Sequence, residues 1–238
     1  LAGFTKGMTE LSRQAGCPLL GGDTTRTAKV GDIHAPVTIS ITAMGELPQS
    51  MGLTRSGARP GDDIWVSGCV GGAWAALMHR WGKLTLDARV FPAAALAMDR
   101  PNPRNALGTA LLSSATACAD ISDGLAQDLG HILERSGVDA DVLWDAVPKH
   151  PALAALSQEQ QVEAAMSGGD DYELVFTAPA DKRGLIEQAS ISALTPVTRI
   201  GRIVEKKPSG APLAIRDASG RPLFLPVQGF DHFAQSAD

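Results

Sequence analysis

Leu1, Phe4, Met8, Leu11 and Ala15 recur at alternating spacings of three and four, so one apolar stripe of an α-helix is in phase from the first residue. Gly16 follows where a helix stop is expected. A chain with no initiator methionine that opens inside such a helix reads as the remainder of a longer protein. Val37, Ile39, Ile41 and Ala43 alternate with Thr38, Ser40 and Thr42, which predicts a half-buried strand. The turn-forming stretch Ser56 to Asp62 is poor in core residues and marks a domain boundary, with residues 1–56 on one side and 57–238 on the other. Ile64-Trp65-Val66 then predicts a short buried strand and Ala73 to Trp81 a helix. Residues 103–116 predict another helix, running into a strand over Ala117 to Ile121. Leu125, Leu129, Ile132 and Leu133 share a helical face, and Ser122 or Asp123 stands where its N-cap belongs. A strand over Tyr172 to Thr177, a helix over Asp181 to Ser190, a strand over Thr198 to Val204 and a hairpin turn at Ala218-Ser219-Gly220 complete a mixed α/β pattern.

Composition narrows the class. The 238 residues are 44% hydrophobic and 20% charged, enough to bury one large core or two modest ones. A net charge of −5 without an arginine-rich run argues against nucleic acid or an anionic membrane as partner. Cys17, Cys69 and Cys118 are odd in number and widely spaced, so neither a disulfide framework nor a zinc ribbon is expected, and a reducing cytoplasm fits. No apolar run has the length of a membrane span.

The chemistry gathers where aspartate meets glycine. Three clusters do this, Gly21-Gly22-Asp23-Thr24-Thr25, Asp120-Ile121-Ser122-Asp123-Gly124 and Gly168-Gly169-Asp170-Asp171-Tyr172-Glu173-Leu174, each beside a predicted strand. Glycine lets backbone amides approach an anion, and hard carboxylate oxygens hold Mg²⁺, which bridges the phosphates those carboxylates would otherwise repel. Phosphoryl transfer is the expected chemistry. Taken singly, Asp120 and Asp123 could be helix caps, and Asp23 and Asp170 ordinary turn residues. Asp120, however, precedes the cap and belongs at the sheet end, where ligands collect in α/β folds. Gly68-x-x-Gly71-Gly72 matches neither nucleotide-loop spacing and reads as a tight turn. The five histidines show no metal-ligand spacing, and neither a serine elbow nor a cysteine with an adjacent base is present, so no catalytic base or nucleophile is expected. Arg55 and Arg104 default to solvated surface, and Arg55 is the better placed to hold a phosphate.

These clusters, together with Thr54-Arg55-Ser56-Gly57-Ala58-Arg59-Pro60-Gly61-Asp62 and Gly229-Phe230-Asp231-His232-Phe233, resemble the thiamine-monophosphate kinase family. The resemblance spans the chain but only the later and larger part of the family's length; the family's N-terminal Gly-Asp-Asp loop, with further metal-binding aspartates, has no counterpart in these residues, so a complete site is not expected within them. It implies the two-domain fold shared with aminoimidazole ribonucleotide synthetase and selenophosphate synthetase. On that fold residues 1–56 would close an N-terminal ATP-binding and dimerisation domain, and 57–238 would form a C-terminal α/β domain. It further implies Asp23, Asp120 and Asp123 as Mg²⁺ ligands, Gly22, Asp23, Arg55 and Ser122 as ATP contacts, and Asp170 and Phe230 as contacts to thiamine monophosphate. The implied partners are ATP, thiamine monophosphate and a second copy of the chain. Two alternatives stay open: another ATP-using enzyme of this fold, or a metal-dependent phosphatase or non-catalytic nucleotide-binding protein.

Overall fold

The computed structural model describes residues 1–26, 37–47 and 52–223. The chain divides into two compact units, Leu1–Ser50 and Met51–Asp238, and each is described by itself.

In the first unit the expected helix forms as α1 (Ala2–Gln14), closed by Ala15 and by Gly16 at φ 62°. None of its residues is buried. The predicted strand over Val37 to Ala43 does not form: residues 37–47 carry no strand and lie exposed. Alternation alone does not make a strand, because the backbone of an extended segment is satisfied only by a neighbour in register, and no described residue pairs with this one.

The second unit is built on one six-stranded sheet, formed by β1 (Asp63–Ser67), β2 (Ala117–Asp120), β3 (Asp139–Leu143), β4 (Leu174–Ala178), β5 (Val197–Val204) and β6 (Leu213–Arg216) in the order β2-β4-β1-β5-β3-β6. Every neighbouring pair is antiparallel except β3 with β6. Among the described residues six α-helices accompany it: α2 (Gly72–Arg80), α3 (Phe91–Asp99), α4 (Asn105–Leu111), α5 (Leu125–Ser136), α6 (Gln158–Ser167) and α7 (Arg183–Ser192). On one face Ile64, Val66 and Val175 pack with Leu125, Leu129 and Ile132 of α5 and Met166 of α6. On the other, Trp65 and Phe176 stack at 6.4 Å and are covered by Leu107 and Leu111 of α4 and Ile186 of α7. Each large side chain so buried contributes about 1.5–3 kcal/mol.

Several elements differ from their sequence pattern. The helix expected over 103–116 shrinks to α4, because Leu112 to Ser114 turn away before β2 begins. The strand expected from Tyr172 begins only at Leu174, since Tyr172 sits at φ 50°, a left-handed conformation that no ladder accommodates. The turn at Ala218 to Gly220 forms as expected, with Asp217 N–H bonded to the Arg221 carbonyl and Leu223 N–H to that of Ile215. The three cysteines are free thiols. Among the described residues no helix is long and apolar enough to cross a membrane.

Candidate active site

Antiparallel pairing decides where the aspartate clusters of the second unit meet. β2 lies beside β4 with Asp120 opposite Leu174, so the loop leaving β2 (121–124) and the loop entering β4 (168–173) emerge at the same end of the sheet. Backbone bonds knit them: Asp170 N–H donates to the Ser122 carbonyl at 2.9 Å, Tyr172 N–H to that of Ile121 at 2.9 Å, and Ile121 N–H to that of Glu173 at 2.7 Å. Glycine is required at this seam. A Cβ on Gly169 (φ 66°) would lie 2.5 Å from the Ser122 carbonyl oxygen, and one on Gly124 (φ 113°) 2.8 Å from that of Met166.

The carboxylates of this junction fall into two layers. Asp128, Asp171 and Glu173 are turned inward and occupied. Asp128, buried on α5, accepts the amides of Ser122 and Asp123 at 3.0 Å each; burial holds its carboxyl above the ordinary range, opposed by those bonds. Asp171 accepts the Gly71 amide at 2.9 Å at the N-terminus of α2, and burial pushes its carboxyl up to about 7. Glu173 accepts Ser67 Oγ at 2.5 Å and is gripped by one edge of the Arg104 guanidinium, through Nε and Nη2, in a pair whose side chains are 17% and 7% exposed. Arg104 is therefore not a solvated surface residue; it is partly buried at the start of α4, whose Leu107 and Leu111 enter the core. The Gly68-Gly71-Gly72 turn is held from the same side, since a Cβ on Gly68 would strike the Glu173 carboxylate.

Asp120, Asp123 and Asp170 form the outer layer. Asp120 and Asp170 are exposed and Asp123 is half-buried. None has a cationic partner among the described residues: Asp123 accepts only the Gln127 amide at 3.3 Å and Asp170 only the Tyr172 hydroxyl at 3.1 Å. All three act on the Tyr172 phenol, whose pKa is raised first by burial and then by the charges of Asp170, Asp120 and Asp123. Oxygens of Asp123 and Asp128 and a ring nitrogen of His131 also lie within 4.8 Å of one another.

The α5 cap differs from expectation. Gly124, not Ser122 or Asp123, is the N-cap, and no side chain caps the helix; Asp128 instead reaches back over the first turn. This frees the Asp123 carboxylate from the capping role. Asp128 has a readable signal, an acidic residue in the first turn of a predicted helix. Glu173 and Arg104 have none, because their pairing joins residues far apart in sequence.

Arg55 is exposed, and its carbonyl accepts Ser136 Oγ at the C-terminal end of α5. It lies beside the start of β2, whereas Asp120 closes that strand. Gly22 and Asp23 belong to the first unit, where Asp23 accepts the Thr24 amide at 2.8 Å and is exposed. Phe230 and the surrounding Gly229 to Phe233 lie outside the described residues.

The chain matches two family models, "AIR synthase related protein, N-terminal domain" over residues 1–47 and "AIR synthase related protein, C-terminal domain" over residues 59–212. It is 36% identical over 236 residues to the thiamine-monophosphate kinases of Haemophilus influenzae and of Escherichia coli K12, a match covering 98% of this chain and 69% of each relative. Among solved structures, the thiamine-monophosphate kinase of Stenotrophomonas maltophilia K279a superposes with a TM-score of 0.65 and 40% identity, over 71% of this chain and 54% of that one. A ThiL protein complexed with AMPPCP and TMP superposes at 0.60 with 28% identity, over 76% of this chain and 54% of that one. The chain thus spans about two thirds of the curated relatives and aligns with about half of the solved chains.

Proposed function

The chain belongs to the thiamine-monophosphate kinase family, and from that premise we propose that the whole protein transfers the γ-phosphoryl group of ATP to thiamine monophosphate, giving thiamine diphosphate and ADP. The observation that carries the reading is the outer layer: Asp120, Asp123 and Asp170 gathered around one phenol with no cation among the described residues to neutralise them. Three unpaired carboxylates repel a polyphosphate unless a metal intervenes.

Hard, solvent-accessible carboxylate oxygens are the donor set Mg²⁺ prefers, so the residues fit the ion. Asp120 and Asp123 would hold it, and the family resemblance adds Asp23 to the ligand set; bound there, it would supply the positive charge that offsets repulsion between donor and acceptor phosphates. Ser122, whose amide and carbonyl are held by Asp128 and Asp170, would be one ATP contact, and the family resemblance adds Gly22 and Arg55. Asp170 would meet the cationic thiazolium, with Phe230 offering an aromatic face. The acceptor phosphate is already substantially ionised at neutral pH, so no general base is required, which agrees with the absence of a candidate from the motifs. Residues 1–56 would belong to an ATP-binding and dimerisation domain and 57–238 to the C-terminal domain of a cytoplasmic homodimer.

The test is incubation of the full-length protein with ATP, Mg²⁺ and thiamine monophosphate, with products separated by chromatography. Thiamine diphosphate formed in step with ADP is expected. Free phosphate without the diphosphate ester would replace this reading with a phosphatase, and ATP consumption only with another acceptor would replace the substrate.

A further inference from the structure

The far half of the sheet has the opposite charge. Ile200, Ile203, Ala140, Val142 and Ile215 are buried on one face of β5, β3 and β6, so the residues beside them along each strand turn to the other face. There Arg199 stands opposite Trp65, Arg202 lies between Asp63 and Asp141, and Arg216 stands opposite Leu143. This face lines a cavity of about 670 Å³, which Arg183, the first residue of α7, also reaches.

The hydrogen-bond inventory of that cavity is unbalanced. Arg183 takes both oxygens of Asp63, at 2.6 and 2.9 Å. Arg199 adds one bond of 3.2 Å to the same carboxylate, which leaves most of its five donors unused. The Arg202 side chain makes no hydrogen bond or ion pair among the described residues, and that of Arg216 has only a 3.5 Å bond to the Gly220 carbonyl. Of the acceptors, Asp217 is held by Ser219 and Arg221, whereas Asp141 has only Lys207 at 3.9 Å, beyond hydrogen-bond reach. Unspent guanidinium edges therefore outnumber unspent carboxylates in a concave site, with half-exposed Leu143 as an apolar wall. Arg202 and Arg216 stand two strands and two residues of register apart, about 12 Å at the usual spacings, and can bracket a group larger than a single phosphate.

We propose that this cavity is a second anion site, which takes a small molecule carrying a diphosphate group, held by the forks of Arg202 and Arg216 and the free edge of Arg199. Guanidinium forks match phosphate oxygens in pairs, so the site needs no metal, unlike the carboxylate rim around Tyr172. It lies toward the opposite edge of the sheet from β2 and is independent of the kinase reading.

The experiment is calorimetric titration of the full chain with inorganic pyrophosphate in excess chelator, where an aspartate-lined site has no means of holding the probe. Saturable binding of one pyrophosphate per chain is expected, at least about tenfold tighter than sulfate. R202A/R216A should weaken it roughly 10- to 100-fold, with an unchanged melting temperature because both side chains are exposed, whereas D120N/D123N should leave it unchanged. If R202A/R216A does not fold, R202K/R216K keeps the charge but loses the fork and should still weaken binding. No saturation, equal binding of sulfate, indifference to the arginine variants, or loss in D120N/D123N would each overturn the proposal.

Discussion

Asp128, Asp171 and Glu173 differ from Asp120, Asp123 and Asp170 in what they hold. Both sets lie in or beside the same two loops, a few residues apart. The inner three accept amides, a hydroxyl and a guanidinium, and so fix the path of the backbone. The outer three accept almost nothing. A buried carboxylate without partners would cost several kcal/mol, so the inner set must be satisfied for the protein to fold. The outer set carries no such requirement and is free to take an external ligand. The division implies that stability and activity are separable within one loop pair.

Glu173 is where that separation breaks most severely. Glu173→Gln or Arg104→Ala leaves one member of a buried ion pair uncompensated, and a loss of about 3–5 kcal/mol in unfolding free energy is expected from chemical denaturation. Replacing both, as Arg104→Met with Glu173→Leu, should recover a large part of it. If the single variants melt like the parent, Glu173 belongs with the outer set.

Gly169→Ala attacks the seam between the layers. The residue would have to hold φ 66° with a Cβ 2.5 Å from a carbonyl oxygen, so a loss of about 1–3 kcal/mol is expected from the strained conformation before any clash. Gly184→Ala in α7, where nothing lies within 4 Å, is the control and should be neutral or slightly stabilising.

Asp171 sharpens the comparison through pH. Its carboxyl sits near 7 in the folded protein, above the ordinary value of 3.8, because burial outweighs the amides it accepts. The folded state then binds the proton more tightly than the unfolded one, and this contribution to stability is full below about 4 and is lost as pH rises toward 7. Asp171→Asn cannot titrate. The difference in denaturation midpoint between parent and variant should therefore shift in the variant's favour from pH 4 to pH 7; a constant difference would remove Asp171 from the inner set.

Much of this arrangement is legible in the residues alone. β1, β2, α2 and α5 follow from hydrophobic period and turn chemistry, and the two clusters beside β2 and β4 are visible as motifs. What is not legible depends on distant partners. β3 and α3 carry no strong period of their own, and α6 is announced only by the Ser157-x-x-Gln160 capping box, which the structure forms in full. The alternation over Val37 to Ala43 promises a strand that no described neighbour completes. Arg104 reads as surface because nothing local shows that Glu173 lies opposite it. The division into inner and outer carboxylates is equally invisible, since Asp170 and Asp171 are adjacent and only the position of Gly71 assigns them different work.

The finest probe of the outer layer is Tyr172, the only tyrosine in the chain. Its phenol is held above the ordinary range first by burial and then by the negative charges of Asp170, Asp120 and Asp123, so its ionisation reports those three charges without turnover. Phenolate absorbance followed against pH should give one transition that moves down in Asp170→Asn, and by less in Asp120→Asn or Asp123→Asn. Unfolding free energies of Asp120→Asn and Asp170→Asn should stay within about 0.5 kcal/mol of the parent, as for other exposed substitutions. Adding Mg²⁺ should move the transition in the same direction, because a cation on the carboxylates cancels the repulsion that opposes the phenolate. That Mg²⁺-induced shift should vanish in Asp120→Asn with Asp123→Asn. If the transition is indifferent to all three substitutions, the carboxylates do not share one site around the ring; if the substitutions move it and Mg²⁺ does not, the site exists but holds no metal without its nucleotide.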